Sequence, residues 1–228
     1  LLPFSWVEYW HIPGEVLPQN IGTMKWDGKI PFKHTEKLYI KRSDDFDEDR
    51  LAPQWQWNYQ PRKDYFSLTE RPGWLRLKAY RPLETNNLLK AGNTLTQRTF
   101  RKQNNDVTIK MDISNMQDGQ KNGLCHFSSQ HSAIGVVKEE DACYLEYRKN
   151  GNITKGIQIH SEFVWFRTEW GMDGKSQYYY SLDGDNFLPF GEKYQLTWGN
   201  YRGDRIGIYC FNDKKETGSV DVDYCHYR

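Results

Sequence analysis

The sequence lacks any marked excess of charge, since 31 Lys and Arg residues stand against 30 Asp and Glu residues and leave a net charge of +1. Proteins that bind nucleic acid or an anionic membrane electrostatically usually carry a clustered basic surplus. The sequence also lacks an apolar run approaching the roughly 20 residues that a membrane-spanning helix needs. We therefore expect neither nucleic acid nor a membrane among the partners of this chain.

The four cysteines lack the spacing of a metal site, because no Cys-x-x-Cys pair occurs among Cys125, Cys143, Cys210 and Cys225. Each lies beside apolar residues in a strand-like run, which predicts buried free thiols. A disulfide between Cys210 and Cys225 on neighbouring strands is a second hypothesis, which sequence alone does not decide.

Hydrophobic residues make up only 37% of the chain and the mean hydropathy is −0.88, yet there are 15 Tyr, 11 Phe and 9 Trp. Aromatic side chains each bury a large area, so these rings supply much of the core. A chain with so many rings is expected to fold rather than to remain disordered.

Residues 1–42 differ from the remainder, because they hold four of the nine prolines and three of the tryptophans without a long periodic run. The chain opens on Leu1-Leu2-Pro3, with neither Met nor a signal-peptide pattern, which indicates a piece of a longer protein. We expect two parts: an end of an upstream domain with its linker over 1–42, and a separate domain over 43–228.

From residue 43 onward the sequence shows strands and turns, with no convincing helical periodicity. Apolar residues alternate over 74–79 and again over 107–113, as in half-buried strands. Asn150-Gly151 joins two such runs as a hairpin turn, and the last two runs are expected to pair with each other. Short strands separated by Gly, Asn and Asp turns predict an all-β, two-sheet antiparallel β-sandwich.

Catalytic side chains are not evident. Glycosidases built on sandwiches present carboxylates from alternate positions of one strand, and the only good candidate pair is Asp221 and Asp223. The acidic run 139–141 lies at a predicted turn and is typical of a solvated cluster. No nucleophile elbow or metal-ligand spacing appears. We expect no active site within this chain.

Calcium is a candidate ligand, because hard cations prefer several oxygen atoms from carboxylates and carbonyls. Asp44 and Asp45 open the predicted sandwich and Asp223 lies near its end. The first and last strands of a sandwich are often neighbours, which would bring these acids together. The alternative is that Asp44 and Asp45 are solvated at the end of a linker.

Two segments combine tryptophans with polar planar side chains. Trp55 and Trp57 share one face of an extended segment, opposite Gln and Asn residues, while Trp165, Arg167 and Trp170 occur together further on. Aromatic rings with amides and guanidinium groups suit a sugar. The alternative is that these rings fill the space between the sheets and that neighbouring amides accept their indole N–H groups.

Several motifs in series carry a resemblance to a known family. They are LAPQWQWNYQPRKDYFSLTERPGWLRLKA, NTLTQRTF, KNGLCHF, EKYQLTWGNYRGDRIGIYCFN and VDVDYCHY. Together they resemble the C-terminal β-sandwich of glycoside hydrolase family 43, the β-xylosidases and α-L-arabinofuranosidases, over residues 43–228. The segments LLPFSWVEYW and IPFKHTEK are similar to the end of that family's five-bladed propeller and its linker.

The resemblance implies a concanavalin A-like jelly roll behind a catalytic propeller that holds the acids of an inverting hydrolase. In some members a sandwich loop reaches the propeller and closes the substrate pocket with an aromatic side chain. The matching stretch is GLCHFSSQHSAIG, which makes Phe127 and His131 the candidates. The implied partners are the propeller of the same polypeptide and a xylose- or arabinose-containing glycan.

Two functions follow from these observations, and a third possibility, an enzyme in its own right, would need two carboxylates facing one cleft at the separation found in glycosidases. The first is a non-catalytic accessory domain that supports the propeller and helps form its pocket. The second is an autonomous carbohydrate-binding module with exposed tryptophans as its binding surface. Two rings exposed side by side would favour the module, and packed rings would favour the accessory domain. The resemblance implies a secreted or periplasmic protein, because polysaccharides are too large to enter cells, although relatives that cleave oligosaccharides can be cytoplasmic.

Overall fold

The structure, a computed structural model, describes residues 41–199 and 203–228 and the backbone of four short strands nearer the N terminus. These four strands are β1 (Phe4–Val7), β2 (Trp10–Pro13), β3 (Glu15–Val16) and β4 (Gly22–Thr23). They form two antiparallel hairpins, β1 with β2 and β3 with β4.

Contacts divide the chain into two compact units, Leu1–Tyr39 and Ile40–Arg228. This division lies close to the boundary that we expected between residues 42 and 43. The origin of residues 1–42 as the end of a propeller and its linker falls largely outside the described residues and stays a prediction.

Within the second unit, one sheet has seven antiparallel strands. In chain order they are β5 (Gln56–Trp57), β8 (Thr94–Arg98), β10 (Gln120–Phe127), β11 (His131–Glu139), β12 (Ala142–Lys149), β13 (Asn152–Ile159) and β18 (Arg205–Asn212). Their spatial order is β13-β12-β11-β10-β18-β8-β5. We call it the seven-stranded sheet.

The other sheet has eight strands. They are β6 (Phe66–Ser67), β7 (Leu75–Lys78), β9 (Asn105–Asp112), β14 (Phe163–Trp170), β15 (Lys175–Ser181), β16 (Leu188–Pro189), β17 (Tyr194–Gln195) and β19 (Ser219–Tyr227). Their spatial order is β16-β15-β14-β9-β19-β7-β6, with β17 also paired to β15. We call it the eight-stranded sheet. The two antiparallel sheets confirm the predicted sandwich.

Helix is limited to two single 3-10 turns, Lys63–Tyr65 and Leu88–Lys90, in the described part of the chain. Neither has the length or apolar character to cross a membrane.

Apolar side chains at every second position of the strands form the core. Leu75 and Leu77 on β7 are fully buried between the sheets while Arg76 and Lys78 are half-buried on the outer face. Val107, Ile109 and Met111 follow the same rule on β9, because successive side chains of a strand point to opposite faces. The alternation read from the sequence is therefore confirmed on both strands.

The predicted hairpin turn at Asn150-Gly151 is confirmed. It joins β12 to β13, with Lys149 paired to Asn152 across the turn. Asn150 and Gly151 have φ of +49° and +90°. Positive φ at both central residues is the geometry that favours the Asn-Gly pair, because glycine has no Cβ to clash.

The prediction that the last two strands pair with each other is wrong. β18 pairs with β10 and β8 in the seven-stranded sheet, and β19 pairs with β9 and β7 in the eight-stranded sheet. The segment between Asn212 and Ser219 carries the chain from one sheet to the other. β18 and β19 are consecutive in the sequence, yet they lie in opposite sheets and do not pair with each other.

The four cysteines are free thiols, three of them buried and Cys143 half-buried. Cys210 and Cys225 lie on β18 and β19, in different sheets, so the hypothesis of a disulfide between neighbouring strands does not hold. Burial raises the pKa of Cys125 and of Cys210 to about 12. Both thiols are therefore protonated at neutral pH.

Candidate functional site

Trp55 is a core residue with 8% of its surface exposed. Its indole Nε1 donates a hydrogen bond to Asp44 Oδ2 over 2.7 Å, and its ring stacks on Phe46 at a centroid distance of 5.9 Å. Trp57 is half-buried on the edge strand β5 and packs against Phe66 at 4.8 Å. The two rings thus support the fold, and the indole acceptor is Asp44 rather than a neighbouring amide.

The start of the sandwich lies beside its last strand, as expected. Asp44 forms an isolated antiparallel bridge with Cys225, in which each backbone N–H donates to the other's carbonyl over 2.9 and 2.8 Å. Asp44 Oδ1 also accepts the backbone N–H of Phe46 over 3.1 Å. Both carboxylate oxygens of Asp44 therefore accept hydrogen bonds from the protein.

The other two calcium candidates have separate partners. Asp45 Oδ1 lies 2.7 Å from His226 Nε2, and Asp223 Oδ2 accepts a hydrogen bond from Lys110 Nζ over 2.7 Å. Among residues 41–199 and 203–228, no group of three or more His, Cys, Asp or Glu side chains has a geometry suited to a metal ion. The structure does not bring the three acids into one cluster, and the calcium site stays a prediction.

Trp170 also lies between the sheets, with 3% of its surface exposed. Its Nε1 donates to the carbonyl of Phe100 over 2.8 Å, and its ring meets His126 and Tyr227 edge to face at 5.3 and 5.6 Å. Trp170 therefore offers no ring to a sugar. This corrects its place among the candidate sugar contacts.

Trp165 and Arg167 lie on the outer face of the eight-stranded sheet and are half-buried. The Trp165 ring packs against Gly184, where an added Cβ would lie 3.1 Å from Cε2. Arg167 Nε donates to Thr108 Oγ1 over 3.0 Å, and its guanidinium lies 3.7 Å from the ring centroid of Phe187. These two candidates remain in reach of a ligand.

Two buried carboxylates face each other on the same outer surface. Asp112 and Asp221 are cross-strand partners on β9 and β19. Arg71 Nη1 contacts both, at 2.6 and 3.0 Å, and Arg76 makes a two-point contact with Asp221 at 2.7 and 2.8 Å. Two guanidinium groups pair with these carboxylates, so their geometry is that of a structural ion network.

The two pocket candidates from the family resemblance flank a tight turn, 128–130, between β10 and β11. Phe127 is 4% exposed, and its ring packs in a small apolar cluster with Leu88 and Tyr209 outside the sandwich interior. The Arg205 guanidinium lies 4.6 Å from the Phe127 ring centroid. Phe127 is thus covered in this chain.

His131 is 7% exposed. Burial lowers its pKa to about 4, with a further contribution from the Arg148 guanidinium. Its backbone N–H donates to Asn150 Oδ1 over 3.0 Å, while Nδ1 has no hydrogen-bond partner among the described residues. His131 is therefore a neutral imidazole whose Nδ1 is buried and has no hydrogen-bond partner among the described residues.

A hollow of about 470 Å³ opens beside this hairpin. Its walls are the segment 86–89, the turn 128–130 and the Asn150–Gly151 turn, and His131 lines it. Asn150 Nδ2 donates to Gln130 Oε1 over 3.3 Å, which joins the two turns. The hollow combines amides, a hydroxyl and a neutral imidazole, groups that hydrogen-bond to sugar hydroxyls.

Trp198 is the feature that the sequence reasoning missed. It is 78% exposed, more than any other large hydrophobic residue in the described part of the chain. The adjacent Thr197 Oγ1 lies 3.0 Å from Ser128 Oγ, so the backbone before residue 198 lies beside the hairpin turn, while the indole itself lies next to Gly203. Trp198 lies inside the motif EKYQLTWGNYRG, but the sequence does not show which ring of such a motif is exposed.

The two antiparallel sheets place the protein in the class of concanavalin A-like sandwiches. Within the described residues, a hollow and an exposed tryptophan lie near one hairpin end of this sandwich. Residues 43–228 match the family described as the β-xylosidase C-terminal concanavalin A-like domain of GH43 enzymes. The chain belongs to this family.

Curated relatives are consistent with this assignment. The chain is 34% identical over 248 residues to a β-xylosidase of Formosa agariphila, covering 100% of this chain and 42% of the relative. It is 30% identical over 210 residues to a putative β-xylosidase of Xylanibacter ruminicola, covering 91% and 38%. The chain thus spans about two fifths of the length of these relatives.

Solved structures show the same fold. A bifunctional GH43-CE protein of Bacteroides eggerthii superimposes with a TM-score of 0.76 and 28% identity, covering 100% of this chain and 30% of that protein. The GH43 protein BlXynB of Bacillus licheniformis superimposes with a TM-score of 0.73 and 22% identity, covering 99% and 46%. In such enzymes this domain is one part beside a catalytic domain.

Proposed function

We propose that this sandwich is a non-catalytic accessory domain that packs on the catalytic propeller of a family 43 glycosidase and completes its substrate pocket. The hairpin end, which we define as the turn 128–130 with His131 and Trp198, would face that pocket. The observation that carries the proposal is the indole of Trp198, 78% exposed at the end of a rigid sandwich. A large exposed apolar side chain is typical of a contact surface.

The hairpin end has the physical properties that such a role requires. Both β10 and β11 are paired along their whole length, so the turn between them is held by a rigid ladder. A side chain delivered from a rigid second domain orients a substrate without the entropy cost of ordering a long loop. The neutral imidazole of His131 would hydrogen-bond to a hydroxyl without carrying a charge into the pocket.

The test is a comparison of variants in the full-length enzyme on a short aryl β-xyloside. We expect Trp198→Ala and His131→Ala each to lower kcat/KM about tenfold, the effect of one lost packing or hydrogen-bond contact in the transition state. Tyr59→Ala, an exposed ring elsewhere on the domain, is the matched control. Wild-type kcat/KM in both variants, with folding intact, would refute the pocket role.

The glycan and the compartment belong to the same proposal. The names of the relatives support a xylose-containing substrate, and an arabinose-containing glycan follows from the family resemblance. Polysaccharide of this kind reaches the enzyme outside the cytoplasm, so we propose a secreted or periplasmic location. Activity confined to the cytoplasmic fraction of a producing cell would contradict that location.

The alternative function is an autonomous carbohydrate-binding module. The half-buried Trp165 and Arg167 on the outer face of the eight-stranded sheet favour it, whereas the buried Trp55 and Trp170 do not. Affinity electrophoresis of this chain in xylan or arabinan gels tests it. Retardation that Trp165→Ala abolishes would support the module.

A further inference from the structure

A second hollow, of about 680 Å³, lies at the ends of β9, β14 and β15 on the eight-stranded sheet. Glu169 of β14 lies between Asp106 of β9 and Gln177 of β15, as cross-strand neighbours of both. Tyr179, two residues further along β15, lies on the same face beside Pro189 of β16. The hollow therefore has a wall of carboxylates and an amide next to a half-buried ring.

The hollow is lined by side chains of both charges, because Lys175 and Lys193 lie on its wall together with Asp106, Glu169 and Asp173. Glu169 is exposed and Asp106 is half-buried, and neither makes an ion pair with the described residues. The three carboxylates outnumber the two ammonium groups, so the lining has no positive excess that would attract a uronate or a phosphate. Charged carboxylates accept strong hydrogen bonds from hydroxyl groups, and a neutral polyhydroxylated ligand supplies several of them.

The hollow also contains an unsatisfied acceptor. Asn105, 4% exposed, lines it and donates through Nδ2 to the carbonyls of Lys102 and Trp170 over 3.1 Å each. Its Oδ1 is buried and has no hydrogen-bond partner among the described residues. Buried polar atoms are normally hydrogen-bonded. Because this oxygen is closed to solvent, an enclosed water rather than a ligand in the hollow would satisfy it.

A metal ion is the competing occupant. The described residues contain no group of three or more His, Cys, Asp or Glu side chains suited to a metal. The Tyr179 ring and Pro189 supply apolar faces, which a metal site does not use and which pack against the C–H faces of a pyranose. The volume is within the range of about 300–1,000 Å³ that small-ligand sites occupy.

We propose that this hollow, the Glu169–Tyr179 hollow, is a glycan-binding site that takes a neutral xylo-oligosaccharide. The choice of xylose rests on the proposed function, but the site is separate from the hairpin end. It would hold a distant part of the same polysaccharide. Such a second contact raises the effective concentration of substrate near a catalytic domain.

Isothermal titration of this chain with xylohexaose tests the proposal. We expect saturable binding with a Kd near one millimolar, weakened at least about tenfold by Glu169→Gln and by Tyr179→Ala, since each removes one strong contact. Glu162→Gln and Tyr59→Ala are the matched controls for charge and ring and should bind as the wild type does. Thermal melting of each variant checks folding.

The absence of saturable heat up to about ten millimolar would overturn the proposal, as would binding that both hollow variants retain. A rise in melting temperature with CaCl2 that Glu169→Gln abolishes, without xylohexaose binding, would assign the hollow to a cation and overturn it as well. The titration contains no catalytic domain. A failure of the pocket role at the hairpin end therefore leaves its outcome unchanged, and the two proposals fail separately.

Discussion

The indole of Trp55 donates its hydrogen bond to the carboxylate of Asp44, 11 positions earlier in the chain and equally buried in the sandwich. This contact ties the first bridged residue of the domain to its core. It also gives both residues a structural role, although the sequence suggested a sugar contact for one and a calcium ligand for the other.

Removal of the Asp44 carboxylate should destabilise the domain. Asp44→Ala leaves the indole N–H of Trp55 and the backbone N–H of Phe46 without acceptors, and an unsatisfied buried donor costs about 1–3 kcal/mol. Urea denaturation would measure the loss in free energy of unfolding. Asp45→Ala is the control, because its contact with His226 is exposed and should contribute under about 1 kcal/mol. Equal losses in the two variants would count against the buried role of Asp44.

The ion network of Asp112, Asp221, Arg71 and Arg76 predicts that substitutions of two acids on β19 have unequal effects on stability. Asp221→Asn leaves two guanidinium groups undercompensated around a side chain that is 2% exposed. We expect a loss of about 3 kcal/mol in the free energy of unfolding, the scale for breaking a buried ion pair. Asp223→Asn, two residues on, breaks only the half-exposed pair with Lys110 and should lose under about 1 kcal/mol. A reversed order would refute this assignment.

Stability should fall as the pH drops from about 6.5 toward 4. Burial lowers the pKa of His126 to about 3 and that of His131 to about 4, whereas both titrate near 6.5 when unfolded. In this window the unfolded chain binds protons that the folded chain does not, so the free energy of unfolding decreases with falling pH. Above about pH 6.5 each buried histidine makes its full contribution to the free energy of unfolding. Below that pH the contribution of each falls by up to about 1.4 kcal/mol per pH unit.

Urea midpoints measured between pH 7.5 and 4.5 would check this dependence. His126→Gln should flatten the slope, and the exposed His160→Gln should leave it unchanged. Burial opposes the ionised form of Asp112, but hydrogen bonds to Ser114 and Arg71 outweigh it and lower the pKa of Asp112. Protonation of Asp112 therefore reduces stability only at a pH below the window of the histidines. A wild-type slope in His126→Gln would show that another group titrates.

Calcium binding is tested by the melting temperature. A bound ion stabilises the folded state in proportion to its saturation. If the ion is held by Asp44, Asp45 and Asp223, chelation should lower the melting temperature of the wild type and should not change that of Asp223→Asn. An unchanged wild-type value would dismiss the calcium site.

Local patterns predicted much of the fold. The alternation on β7 and β9 and the Asn150-Gly151 turn depend on neighbouring residues only, and all three are present. The pairing of β18 and β19 was predicted wrongly, because ladder partners are chosen by the topology of the whole domain. A crossing between sheets looks the same in the sequence as a hairpin loop.

The candidate site was less accessible to sequence reasoning. Exposure is a tertiary property, so the sequence does not distinguish the buried Trp55 and Trp170 from the exposed Trp198. The acceptor of the Trp55 indole is likewise a long-range partner. The family resemblance did point to the hairpin of Phe127 and His131, but only the structure shows that the segment with the exposed Trp198 contacts this hairpin through Thr197.

The most direct test of the division of labour between domains is hydrolysis of an aryl β-xyloside by this chain alone and by the full-length enzyme at equal molar concentration. We expect turnover by the full-length enzyme and none by this chain. Hydrolysis by this chain, abolished by substitution of one of its own carboxylates with folding intact, would contradict it.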